Sequence, residues 1–310
     1  MRISILIFYL LFNTFTCVGQ ESHFVKTQDG MLHYEVIGEG KPILIINGGP
    51  GFSSEGFKNI ATEIALLGYK SILFDQRGTG KSTLNQMDTT TITMSKMALD
   101  MEVIRKDIGI DEWILFGHSF GGMLANYYTT KFPNRVSAII HSSSGGLDLH
   151  LIDNAQSNLN SRLTEQEIDS LNFWRNKLRE NESEYNRRKF NQYLASAYVY
   201  QKKNIPIVSE RLMQGNMSLN RMVWDNMLSI NFDCKKDLES FDKPVLILQG
   251  KQDVIPQSLA FTADKVFSNS NLFFLDNCGH YGWLDKKKEY LNRINDFLIK
   301  LKKSHKEKNN

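Results

Sequence analysis

The chain has 310 residues, 41% of them hydrophobic and 23% charged, with only 6 prolines. That balance excludes a disordered or fibrous polypeptide and describes a globular protein with material for a sizeable core. The formal net charge is only +3; much of the excess sits in a Lys-rich stretch at residues 300–308, and no basic, aromatic-interleaved surface points to a nucleic-acid partner.

At the N-terminus Arg2 precedes an apolar run over residues 3–12, and small residues stand at Cys17 and Gly19. A short positive region before an apolar core too short to span a bilayer predicts a cleaved signal peptide over 1–19. The mature chain would then start at Gln20 and be periplasmic or secreted; an uncleaved anchor is the competing reading. No later segment is apolar enough to cross a membrane, so no stable span is expected after cleavage. With Cys17 removed, Cys234 and Cys278 remain, and two cysteines in a core-rich chain need not pair. No Cys/His cluster has zinc-ligand spacing and no stretch reads as a cofactor site, so neither metal nor cofactor is expected.

Residues 24–27 and 33–37 flank Asp29-Gly30 and predict a hairpin, Asp-Gly being a turn signal. Short continuous apolar runs follow at 43–46, 71–74, 113–116, 136–140, 245–248 and 272–275, with helical patterns at 57–67, 94–108 and 123–131 between them. Continuous rather than alternating apolar strands, separated by helices, predict a mostly parallel sheet covered on both faces. The alternation stops after Gly145-Gly146 and resumes at Lys243-Pro244. Thr164-Glu165-Gln166-Glu167 forms a capping box opening a helix with Ile168, Leu171, Trp174 and Leu178 on one face. A second helical pattern carries Tyr185, Tyr193, Leu194, Ala197 and Tyr198, and a third runs over 219–228. The expected organisation is a core from 20–145 and 241–300, an inserted helical cap over 146–240, and a disordered tail over 301–310.

Gly117-His118-Ser119-Phe120-Gly121 lies between a predicted strand and a predicted helix, the setting of a nucleophile elbow. A tight turn there presents the Ser119 hydroxyl beside a helix N-terminus, which favours developing negative charge. Serine needs a base, and His280, in a loop after the last predicted strand, is the best placed of the histidines. The base in turn needs an acid to fix its tautomer, and Asp253, in the loop after the strand at 245–248, fits that role, although a turn-forming Asp is the plainer reading. Asn47-Gly48-Gly49-Pro50-Gly51 follows the strand at 43–46 without side chains to block close approach. The backbone N–H groups of Gly49 and Phe120 therefore make the expected oxyanion hole. His118 reads as structural support.

Gly48-Gly49-Pro50-Gly51, Asp75-Gln76-Arg77-Gly78-Thr79-Gly80-Lys81-Ser82 and Gly117-His118-Ser119-Phe120-Gly121-Gly122 together resemble the proline iminopeptidase family of α/β-hydrolases. The resemblance implies an α/β-hydrolase fold with an inserted helical cap, and release of N-terminal residues, often proline, from short peptides. The chain departs from the family at Asn47, where a His is usual, and at Val254, where an acidic residue commonly holds the substrate's amino group. It departs again at Met227-Leu228-Ser229 and Asn231, in place of a Trp-Gly-Pro run and an acidic residue. Asp225 is the one cap carboxylate placed to bind an ammonium, although an exposed helix position explains it equally; Trp224 and other cap aromatics would roof a small apolar pocket. Two enzymatic readings follow. The first is an aminopeptidase releasing N-terminal residues from short peptides; the alternative is a carboxylesterase on small acyl esters, favoured by Val254. A binding protein that keeps the fold without turnover is opposed by the complete Ser, Asp, His set.

Overall fold

In the computed structural model, which describes residues 19–308, the chain opens with the expected hairpin: β1 (Gln20–Lys26) and β2 (Gly30–Ile37), paired antiparallel. The expected signal peptide lies outside the described residues except for Gly19. Strands and helices then alternate: β3 (Lys41–Ile46), α1 (Lys58–Leu66), β4 (Tyr69–Phe74), β5 (Thr83–Leu84), α2 (Met94–Ile108), β6 (Trp113–His118), α3 (Phe120–Lys131) and β7 (Val136–Ser142). A helical insertion follows, with α4 (Ala155–Asn160), α5 (Glu165–Glu180), α6 (Glu184–Tyr198), α7 (Ile205–Met213), α8 (Met217–Ser229) and α9 (Lys235–Leu238). The sheet resumes with β8 (Val245–Gly250), α10 (Gln257–Val266), β9 (Ser270–Leu275), α11 (Gly282–Asp285) and α12 (Lys287–Lys308).

The described residues form one 9-stranded sheet in the order β1-β2-β4-β3-β6-β7-β8-β9, with the short β5 paired to β2. From β4 to β9 every neighbouring pair is parallel. Successive residues of a strand point to opposite faces, which is why these strands read as unbroken apolar runs. Leu44 and Ile46 pack with Met97, Met101, Trp113 and Tyr128 on one face. Ile43 and Ile45 pack with Phe57, Ile60, Tyr290 and Ile294 on the other. The chain leaves β3 toward β4 on one side and returns on the other side as β6, so β3 and β6 part at the point where the strand order reverses. Loops diverging at such a point leave a crevice beyond the carboxyl ends of the strands.

α5 carries the predicted capping box, with Thr164 accepting from the Glu167 N–H at 3.2 Å and Glu167 accepting from the Thr164 N–H at 2.9 Å. Cys234 and Cys278 are both buried and unpaired, and burial pushes the Cys234 thiol up to about 12. At the far end α12 continues through Lys308, so residues 301–308 of the expected tail belong to that helix. Lysine is a good helix former, and the buried stripe Tyr290, Ile294, Phe297 and Leu298, joined by Leu301, fixes the helix to the core.

Candidate active site

Ser119 stands between β6 and α3 with φ 55° and ψ −123°, a backbone conformation that L residues rarely adopt. The turn is held by the surrounding chain. The Ser119 N–H donates to the carbonyls of Ser142 and Ser143, each at 3.1 Å, and the Ser119 carbonyl accepts from the Gly145 N–H at 2.9 Å. Strain of about 1–3 kcal/mol persists only where neighbours over-determine it, and such sites are often functional. A side chain could not replace the hydrogen at Gly121, since its Cβ would lie 2.1 Å from the Ile46 carbonyl oxygen.

His280 and Asp253 leave the paired ends of β9 and β8. His280 Nδ1 lies 2.8 Å from Asp253 Oδ1, and the two side chains are 3% and 0% exposed. Asp253 Oδ1 also accepts the Ile255 N–H at 3.0 Å, while its Oδ2 has no protein partner among the described residues. Its charge is therefore directed at the imidazole, an arrangement that fixes the ring and would favour its protonated form. The His280 backbone N–H donates to the Tyr198 carbonyl of α6 at 2.8 Å, so this histidine is also tied to the helical insertion. Among the other histidines, His33 is engaged by Asp75 and Ser22, His141 by Asn126 and His150 by Asp148.

His118 packs its ring 4.5 Å from that of His280 and holds Ser142 Oγ at 3.1 Å through Nδ1. Burial, then the nearby His280 and Arg211, hold its pKa well below the usual histidine value, so it stays neutral. Burial likewise lowers His141 to about 4. Both imidazoles are neutral in the folded chain but take up a proton on unfolding at any pH below about 6.5. Their contribution is fully present above that pH and is lost as pH falls toward the folded values. His141 alone would cost on the order of 3 kcal/mol between pH 6.5 and 4. Denaturant titrations at pH 7, 6 and 5 should show falling stability, and His141→Phe should flatten that slope by up to about 1.4 kcal/mol per pH unit. A wild-type stability flat over this range would contradict the neutral assignment.

The glycine loop after β3 is held by the motif after β4. Asp75 accepts from the Ser54 N–H and hydroxyl and from the Lys81 N–H, all at 2.9 Å. Gln76 Nε2 donates to the Asn47 carbonyl at 2.9 Å, and Asn47 Nδ2 donates to the Phe52 carbonyl at 3.0 Å. Arg77 grips Asp100 with two bonds at 2.8 and 2.6 Å, anchoring the whole motif to α2. The Asn at 47 is thus fully used as a loop brace. Gly49 adopts φ +63°, and Phe120 is the first residue of α3, where a backbone N–H has no intrahelical acceptor. Gly49, Ser119, Phe120 and His280 all border one cavity of about 340 Å³, within the size range of small-molecule sites. A Cβ on Gly48 would lie 2.6 Å from that of Ser119 and 2.8 Å from the His118 carbonyl oxygen. Gly48→Ala should therefore displace the loop and lower kcat by about 10²-fold, as loss of one oxyanion donor does. Steady-state kinetics test this, and an unchanged kcat would remove the loop from the site.

The two substrate-binding expectations separate. Trp224 borders the cavity and meets Phe120 edge-on, 6.2 Å between ring centroids. Asp225 is exposed and does not border it. The inward stripe of α8 is Leu219, Val223 and Met227, and Asp225 lies about 200° around the helix from Val223. Sequence reasoning also missed two residues. Arg211 of α7 borders the cavity and donates from Nη2 to the Gly48 carbonyl at 2.8 Å. Asp285, at the end of α11, accepts from the N–H groups of Gly279, Tyr200 and Gln201 at 2.7–3.0 Å and from Asn204 Nδ2 at 3.0 Å. It clasps the His280 loop to the link between α6 and α7. Neither residue carries a motif: a single Arg in an amphipathic helix reads as solvated, and an Asp after Trp-Leu reads as a helix-end charge.

Residues 41–287 match the α/β-hydrolase-fold family, and the chain belongs to it; it is a hydrolase. More particularly, it is similar to the proline iminopeptidase of Saccharolobus solfataricus, 25% identical over 287 residues, covering 86% of this chain and 87% of the relative. The proline iminopeptidase of Heyndrickxia coagulans is also 25% identical, over 89% of this chain and 97% of its own. Among solved structures, the proline iminopeptidase of Mycobacterium smegmatis aligns with a TM-score of 0.74 at 18% identity, over 92% of this chain and 100% of that one. An esterase from Exiguobacterium antarcticum aligns with a TM-score of 0.68 at 18% identity, over 91% and 100%. At such identities these two structures speak for the fold alone. No helix among the described residues is long and apolar enough to cross a membrane.

Proposed function

We propose that this hydrolase cleaves small carboxylic esters through an acyl-enzyme on Ser119. The observation that carries this reading is the composition of the cavity wall: it includes Ser119, His280, Phe190, Leu194, Trp224 and Val254 and, among the described residues, no aspartate or glutamate. A free ammonium in a water-poor, largely apolar pocket needs a carboxylate partner, whereas a neutral ester does not. In the reaction Ser119 Oγ attacks the ester carbonyl carbon as its proton passes to His280 Nε2, and Asp253 holds the imidazolium. The N–H groups of Gly49 and Phe120 receive the oxyanion, the alcohol leaves with the proton from His280, and water activated by the same base releases the acid.

A second reading, release of N-terminal residues from short peptides, is favoured by the named relatives. Alanine 4-nitroanilide, its N-acetyl form and 4-nitrophenyl hexanoate distinguish the two. The ester reading expects ester cleavage, no preference for the free amine, and an Asp225→Asn variant indistinguishable from wild type. A free-amine preference of about tenfold or more would favour the peptide reading instead. We also propose that the chain is exported with cleavage near Gln20, resting on Arg2 and the apolar run that follows. N-terminal sequencing of material from an exporting host should begin within a residue or two of Gln20; an intact Met1 in the cytoplasm would refute it.

A further inference from the structure

Three arginines are buried among the described residues, Arg77, Arg105 and Arg211. Arg77 ends on Asp100 and Asp29, and Arg105 on Glu102. Arg211 is 6% exposed and ends on no carboxylate. Its Nη2 donates to the Gly48 carbonyl, the Tyr281 side chain is a further hydrogen-bond partner, and its guanidinium carbon lies 5.0–5.8 Å from the ring centroids of Phe52, Phe57 and Tyr281. Its Nε is buried without a hydrogen-bond partner among the described residues. The adjoining cleft on its far side does contain carboxylates, Glu55 and Glu210, but these pair with Lys58 and Arg188. A guanidinium withdrawn from water is costly unless a counter-charge or full hydrogen bonding compensates it, and ring faces do so only in part.

The absent counter-charge has a natural source. Arg211 borders the same cavity as Ser119, and that cavity's wall supplies none. Resting on the Ser119 ester-hydrolase reading, we infer that the substrate brings it: the acyl group carries a carboxylate that Arg211 binds. The carbonyl that Arg211 holds is the Gly48 end of the trans peptide whose other end is the Gly49 N–H, so the anionic end would lie across that peptide from the expected oxyanion hole, a few methylenes from the scissile carbonyl. A half-ester of a short dicarboxylic acid has this chemistry: a planar carboxylate for the guanidinium, a few methylenes, and an ester carbonyl for Ser119. The same positive charge repels an ammonium, which accounts for a pocket whose expected acidic partner, Asp225, lies outside it.

The test uses two esters of equal length, 4-nitrophenyl hydrogen adipate and 4-nitrophenyl hexanoate, with the wild-type chain, Arg211→Lys and Arg211→Met. Wild type should favour the anionic ester in kcat/KM by about tenfold or more. Arg211→Met should lose about 30-fold or more on the anionic ester beyond its loss on the neutral one, the neutral-ester loss reading only the brace on the Gly48 carbonyl, with Arg211→Lys between wild type and Arg211→Met. A wild type indifferent to the carboxylate, or an equal loss on both esters, would make Arg211 a brace for the glycine loop and overturn the inference. Calorimetric titration of Ser119→Ala with adipic acid monoamide and adipamide reads binding without chemistry. The acid should bind at least about tenfold tighter than the diamide. Preferential binding of the acid without turnover of either ester by wild type would sink the Ser119 reading and leave the anion site standing. Turnover of both esters with no anion preference does the reverse.

Discussion

Alanine in place of Ser119 is expected to lower ester turnover by about 10⁴-fold or more while leaving KM and thermal stability close to wild type. The loss is large because no neighbouring group can substitute. His118 is fully buried with its Nδ1 engaged by Ser142, and among the described residues those bordering the cavity include no other serine, threonine, cysteine or lysine. What survives is the positioning of water by the Gly49 and Phe120 N–H groups, which supplies only a residual acceleration. Stability should hold because the elbow is fixed by backbone bonds to Ser142, Ser143 and Gly145, none of which uses the hydroxyl. Turnover within about tenfold of wild type would place the nucleophile elsewhere.

The second large effect concerns a residue remote from the chemistry. Asp285→Ala is expected to destabilise the fold by about 3–5 kcal/mol, because it leaves three backbone N–H groups and one side-chain amide without their buried acceptor. For a chain of this size that is a fall in Tm of roughly 10 °C. Activity should fall further than the folded fraction does. Gly279, which donates to Asp285, directly precedes His280, and the bond from the His280 N–H to Tyr198 depends on the same loop-to-insertion clasp. Asp285→Asn, which keeps one acceptor oxygen, should recover part of both losses. Calorimetry and kinetics on the two variants check this, and a wild-type Tm for Asp285→Ala would show that the clasp is not structural.

The sheet was legible because strands covered on both faces must be apolar at every position, and that pattern survives without knowledge of their partners. The two-residue β5 was not, since two residues carry no periodicity. Ser119, Asp253 and His280 could be proposed because each sits just beyond a readable strand, and parallel strands bring their carboxyl ends to one edge. Asp225 illustrates the limit. Its place on a helix is evident, but which face of that helix meets the cavity depends on Leu219, Val223 and Met227 finding the core, and the single step of about 100° from Trp224, which borders the cavity, takes Asp225 out of it. Arg211 shows the converse: a charged residue in a polar helix reads as solvated until packing buries it against Phe52, Phe57 and Tyr281. The motif Asp75-Gln76-Arg77 was recognised by resemblance, yet its work is mechanical, bracing the glycine loop through Ser54 and Asn47. Such long-range bonds leave no trace in local sequence.

The most direct measurement is mass spectrometry of the intact and digested chain after treatment with a fluorophosphonate. A single adduct on the peptide containing Ser119, abolished in Ser119→Ala and slowed by about 10²-fold or more in His280→Ala, is the predicted result. An adduct on another residue, or none under conditions where ester turnover is measured, would contradict it.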